Sequence, residues 1–170
     1  MSDPVEDVVR HYGYLTLGTR LKRIGERLQA QTQRILEAHD LAIPAAQFPF
    51  LAAIDRLGPL TVGALADATG VSQPLATRTL AQLAEAGLVS VTQASEDQRR
   101  KLASLTKQGQ RLVERGKRTA WPLIEAAVKE VCIKGSGSLL ERLDDLEERL
   151  RSMPLEHRAA AVKRIQARRR

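Results

Sequence analysis

Apolar positions recur along the first forty residues at helical, not strand, spacing. Leu17, Leu21, Ile24, Leu28 and Ile35 follow one another by four, three, four and seven, which predicts one long helix within residues 8–38. Lys22, Arg23, Arg27 and Arg34 fall outside that stripe. So narrow a stripe resembles a helix–helix seam more than a broad core face. After "HDLAIP" the pattern restarts: Phe48, Leu51, Ile54 and Leu57 predict a helix over 45–57, with Pro49 either in its first turn or kinking it. "LGPLT" at 57–61 is a turn. Two short helices follow at 62–69 and 73–86. The period then falls to two in "LVSVT" and "KLASL", which read as a hairpin. A long helix is expected over 107–132, bent or not at Pro122. "KGSGS" is a linker in which Ser138 can cap the next helix. That helix repeats the seam at Leu139, Leu143, Leu146 and Leu150 and stops before Pro154. The expected fold class is therefore mainly α with a small β-hairpin.

The corner inside "LADATGVSQPLATRTLAQLAEAGLV" has helix-turn-helix spacing. Ala66 is small where two helices cross, Gly70 suits a positive φ, Val71 plugs the corner and Ser72 can cap the second helix. Pro74 is tolerated in a first turn. On a wheel, Leu75, Ala76, Thr79, Leu80 and Leu83 gather on one side, and Gln73, Pro74, Thr77, Arg78 and Ala81 on the other. The outward side is small or hydrogen-bonding, as a helix entering a DNA major groove requires. Gly87 can end the helix. The hairpin that follows holds Glu96, Asp97, Arg99 and Arg100 at its tip. Placed there it reads as a wing, carrying Arg99 and Arg100 to phosphate and minor groove, with Asp97 shaping the loop.

These residues resemble the MarR (multiple antibiotic resistance regulator) family of winged-helix transcription factors. The likeness lies in "PLTVGALADATGVSQPLATRTLAQLAEAGLV" and "EDQRRKLASLTKQG". The family's D-x-R wing signature matches Asp97 and Arg99, its recognition-helix arginine matches Arg78, and its L-T-then-Gly segment matches Leu105, Thr106 and Gly109. One departure is the absence of a basic residue just after "GLV", where Ser90, Val91 and Thr92 stand. The resemblance implies a winged helix-turn-helix domain flanked by N- and C-terminal dimerisation helices. The corresponding division is 1–44 as the N-terminal dimerisation helix and connection, 45–106 as the DNA-binding domain, 107–153 as the C-terminal dimerisation helices and 154–170 as a basic tail. It implies a homodimeric regulator, a repressor in the first instance, on a pseudo-palindromic operator in double-stranded DNA, with Ser72, Gln73, Pro74, Thr77, Arg78, Arg99 and Arg100 in contact. Family members often answer to a phenol or aromatic acid. Residues here that could meet one are His11, Tyr12, Arg20, His39 and Trp121, each of which also has an ordinary surface, interface or core reading.

Composition adjusts this picture modestly. The net charge is +7, but six basic residues against Glu156 lie in 155–170, so the body is nearly balanced. The tail is open between added DNA contact, packing on the dimer and disorder. Aromatic residues are only 3%, so the core must be aliphatic. Cys132 is single and far from any thiolate-stabilising motif. His11, His39 and His157 show no metal-ligand spacing, and no cofactor is expected. No enzyme motif of the Ser-hydrolase, P-loop or zinc-protease type occurs. With neither a signal peptide nor an apolar run of membrane-spanning length, a cytoplasmic protein with no membrane partner is expected. The rival reading is a helical protein-interaction adaptor that kept the fold but not DNA binding.

Overall fold

A computed structural model describes residues 5–93, 101–132, 138–153, 155, 157 and 158. The chain forms two compact units, Met1–Ile124 and Glu125–Arg170.

The first unit opens with a short helix α1 (Val8–His11), a 3-10 turn over Gly13–Thr16, and the long helix α2 (Leu17–Ala38). The single helix expected over 8–38 is thus interrupted. Gly13 has φ +52°, a left-handed conformation that breaks the ladder. Thr16 Oγ1 donates back to the Val9 carbonyl at 2.6 Å. Arg23 grips Asp7 with both terminal guanidinium nitrogens, at 3.0 and 2.9 Å, and so ties α1 to α2. Arg23 first, and the Arg10 amide second, hold the Asp7 carboxyl below its ordinary pKa.

α2 buries only Leu36 completely. Leu36, Leu41 and Ala120 form a small cluster flanked by Phe48, Leu112 and Trp121. The stripe expected to be a seam is half-covered: Leu21 and Ile24 remain 39% and 46% exposed.

The main core lies among α3 (Phe48–Leu57), α4 (Val62–Thr69), α5 (Gln73–Glu85), the strands β1 (Val89–Gln93) and β2 (Lys101–Leu105), and α6 (Lys107–Arg118). Leu51, Leu65, Leu83, Ala76, Ala103 and Val113 are fully enclosed there. Pro49 sits in the first turn of α3 and does not kink it. β1 and β2 pair antiparallel with Val89 opposite Leu105 and Gln93 opposite Lys101. Leu60 adds a bridge to Ala103, with N–O distances of 3.1 and 2.8 Å, and pins the α3–α4 connection to the hairpin.

The helix expected over 107–132 is two helices, α6 and α7 (Ala120–Cys132). A proline inside a helix collides with the carbonyl four residues earlier. For Pro122 that residue is Arg118, where α6 ends, so Pro122 falls in the first turn of α7. The break also lets the Trp121 indole lie directly on Gly116, where a Cβ would collide with its nitrogen. Trp121 meets Phe48 edge-on at 4.4 Å.

In the second unit, α8 (Leu139–Ser152) begins as expected, with Ser138 Oγ accepting from the Glu141 amide. Leu143 and Leu146 are half-buried and Leu139 and Leu150 exposed. No helix among the described residues is long and apolar enough to cross a membrane.

Candidate nucleic-acid interface

Local chemistry shapes the corner between α4 and α5. Thr61 Oγ1 accepts from the Ala64 amide and starts α4. Gly70 ends it at φ +67°, and the Val71 amide then reaches back to the Ala66 carbonyl at 3.1 Å. This turn is a helix C-cap that a β-carbon would strain. Ala66 is buried at the crossing and Val71 packs on the core. α5 therefore leaves the corner with one face locked by Ala76, Thr79, Leu80 and Leu83.

Its other face is open. Ser72, Gln73, Pro74, Thr77 and Arg78 are all exposed, and Arg78 makes no ion pair among the described residues. Ser72 has the residue type of a side-chain cap, but its hydroxyl makes no such bond. The hydroxyl and the first-turn amides are thus left for an outside acceptor such as phosphate. Thr77 donates its hydroxyl proton to the Gln73 carbonyl at 2.9 Å. That leaves it a methyl group and acceptor lone pairs to present outward. Leu75, expected on the buried side, is 48% exposed. Its position on the wheel is at the edge of the buried arc, and no described element covers that edge. Further along, Gln82 Oε1 accepts from Gln47 Nε2 at 2.9 Å and braces α5 against the turn before α3.

The hairpin is anchored to α5 by bonds that periodicity does not reveal. Thr106 Oγ1 donates to the Gly87 carbonyl at 2.6 Å and accepts from the Gly109 amide at 3.0 Å. One side chain thus caps α6 and clamps the turn that ends α5. A Cβ at Gly109 would run into the Leu88 carbonyl. Gly87 itself adopts φ +70°. Asp97, Arg99 and Arg100 lie outside the described residues. On either side of them the described strands end at the pair Gln93–Lys101. Ser90, Val91 and Thr92 are exposed along β1. Lys101, exposed at the end of β2, joins the candidate surface from the structure; its continuity with Arg99 and Arg100 is the sequence signal for it.

Residues 43–101 match the model of the MarR family. Over those residues the chain is similar to the MarR family. Solved structures share the fold over most of the chain. Bordetella bronchiseptica BpsR, whose DNA binding is regulated by 6-hydroxynicotinic acid, is 27% identical, with a TM-score of 0.59 over 80% of this chain and 91% of that one. A MarR family transcriptional regulator from Silicibacter pomeroyi DSS is 25% identical, with a TM-score of 0.60 over 89% and 97%. The apo form of MarR from E. coli, 22% identical with a TM-score of 0.57 over 80% and 95%, shares the fold. No curated protein matches the chain. In this MarR-type frame, α4 and α5 form the helix-turn-helix and β1–β2 the stem of the wing.

The residues considered for an aromatic ligand do not converge within one chain. His11 and Tyr12 lie at α1, where His11 Nδ1 is 2.8 Å from Glu6 and Tyr12 is 55% exposed. Arg20 is half-buried on α2. His39 follows the far end of α2, about 33 Å away for a 22-residue helix. Trp121 shares that far end but is built into the core, its Nε1 enclosed without a hydrogen-bond partner. Cys132 is half-buried. Among the described residues, no three His, Cys, Asp or Glu side chains are grouped to hold a metal ion.

Proposed function

We propose that the protein is a DNA-binding transcriptional regulator, acting as a homodimer and as a repressor. The observation that carries this is α5: one face locked in the core, and Gln73, Pro74, Thr77 and Arg78 free on the other. In this reading α5 enters the major groove. Arg78 addresses a guanine edge or phosphate, Gln73 and Thr77 address base edges, and Ser72 meets the backbone. The wing carries Arg99 and Arg100 to the neighbouring minor groove, with Asp97 holding the loop and Lys101 adding a phosphate contact from the stem.

Dimerisation is supported by the apolar surface that the chain does not cover itself. Tyr14, Leu15, Leu21 and Ile24 are exposed in the first unit, and Leu139, Leu140 and Leu150 in the second. A small aromatic acid as releasing ligand has support from BpsR, which is regulated by 6-hydroxynicotinic acid.

The exposed Ser90, Val91 and Thr92, where a basic residue would add phosphate contacts, favour the adaptor as a second reading. Titration of duplex DNA at two salt concentrations separates the two. A regulator binds and weakens steeply as salt rises, because counterions are released on binding. An adaptor shows little binding at either concentration.

A further inference from the structure

Trp121, the one tryptophan of the chain, opens α7 at a point where several elements meet. Its indole rests on Gly116 of α6, in space that a Cβ would need. It meets Phe48 edge-on at 4.4 Å and packs against both buried clusters. Yet its Nε1–H is enclosed with no hydrogen-bond partner among the described residues. A donor buried in this way gives up its bonds to water and gains none in return. Fit alone therefore holds the indole in place, against a standing polar cost. Turning it outward restores water to the N–H and gives up the contact with Phe48. Solvent is close: Trp121 is only half-buried, and Pro122 and Leu123 after it are exposed.

Phe48 opens α3, and its chain neighbour Gln47 donates from Nε2 to Gln82 Oε1 at 2.9 Å. Gln82 stands four residues beyond Arg78, so the two side chains share one side of α5. A continuous set of contacts thus runs from the indole, through Phe48 and Gln47, to the flank of Arg78.

We propose that Trp121, Phe48 and Gln47 are positioning residues for α5, the indole moving between a packed place on Gly116 and a hydrated one. With the indole packed, Phe48 is held and Gln47 braces Gln82, which fixes the orientation in which α5 presents Arg78. With the indole outward, Phe48 and the brace loosen together. Only the consequence for DNA rests on the reading of α5 as the contacting helix.

Acrylamide quenching of indole fluorescence reads Trp121 alone in the full chain. Gly116→Ala should raise quenching, because the added carbon takes the place of the indole edge. It should also weaken binding of a labelled mixed-sequence duplex about fivefold or more, the lower end of ordinary coupling between sites. Gln82→Ala, a change on the surface of α5, should raise Trp121 quenching too, and should add little to the loss of DNA binding when combined with Gly116→Ala. Coupling is reciprocal, so saturating duplex should lower quenching in the wild type and not in Gln82→Ala. A purely structural role would move the urea midpoint without this exchange between α5 and the indole. Wild-type quenching in Gly116→Ala, in a chain that still unfolds cooperatively, would overturn the moving indole. Wild-type quenching in Gln82→Ala would overturn the link to α5, whether or not Gly116→Ala folds. So would duplex that binds by anisotropy and leaves Trp121 quenching unchanged. A chain that binds no duplex overturns the regulator reading alone, because quenching in Gln82→Ala decides the link without DNA.

Discussion

Gly109 has no room for even one more carbon. The Leu88 carbonyl occupies the place of a Cβ, so Gly109→Ala must push apart α6 and the start of β1. A loss of about 1–3 kcal/mol, the usual scale of overpacking, is expected in urea unfolding. An unchanged midpoint would show that the contact relaxes freely. On the interface, Arg78→Ala and Arg99→Ala should each weaken operator binding by about 1–3 kcal/mol and leave dimerisation intact. A normal titration by Arg99→Ala would remove the wing from the contact surface. The residues of the corner are legible in sequence because each acts locally: glycine for φ, alanine for a close crossing. Leu75 is not, because a wheel gives a side chain's angle but not whether a neighbour covers it. Nor is Ser72, because an N-cap residue type does not oblige its hydroxyl to cap.

Whole elements are legible where periodicity and breakers agree, as for α3, α4, α5, the hairpin and α8. The α6–α7 junction is half legible: Pro122 marks where the helix must yield, but a full break rather than a bend goes with Trp121 lying on Gly116 and against the distant Phe48. The link between α1 and α2 carries a pH prediction. Arg23 holds the Asp7 carboxyl below its ordinary pKa. Such a link contributes fully above the unfolded carboxylate value of about 3.9 and is lost as pH falls through the lower folded value. Protection of the Tyr12 amide, bonded to the Val8 carbonyl, is expected to be steady relative to intrinsic exchange through mild acid and to fall only in stronger acid. Release between pH 5 and 8 would mean that Arg23 does not hold the link.

At the scale of the whole molecule, one chain leaves apolar side chains on α2 and α8 uncovered, and the proposed dimer is what buries them. Leu21→Lys with Ile24→Lys should shift sedimentation from dimer to monomer and reduce DNA binding with it. A dimer that persists in this variant would place the interface elsewhere. Dimeric recognition of DNA can be checked by selecting bound duplexes from a random library at two salt concentrations. A twofold dimer should select a pseudo-palindrome with half-sites about one helical turn apart, roughly 34–36 Å, and bind it in a way that falls steeply with salt. Weak binding at both concentrations with no recovered motif would contradict it.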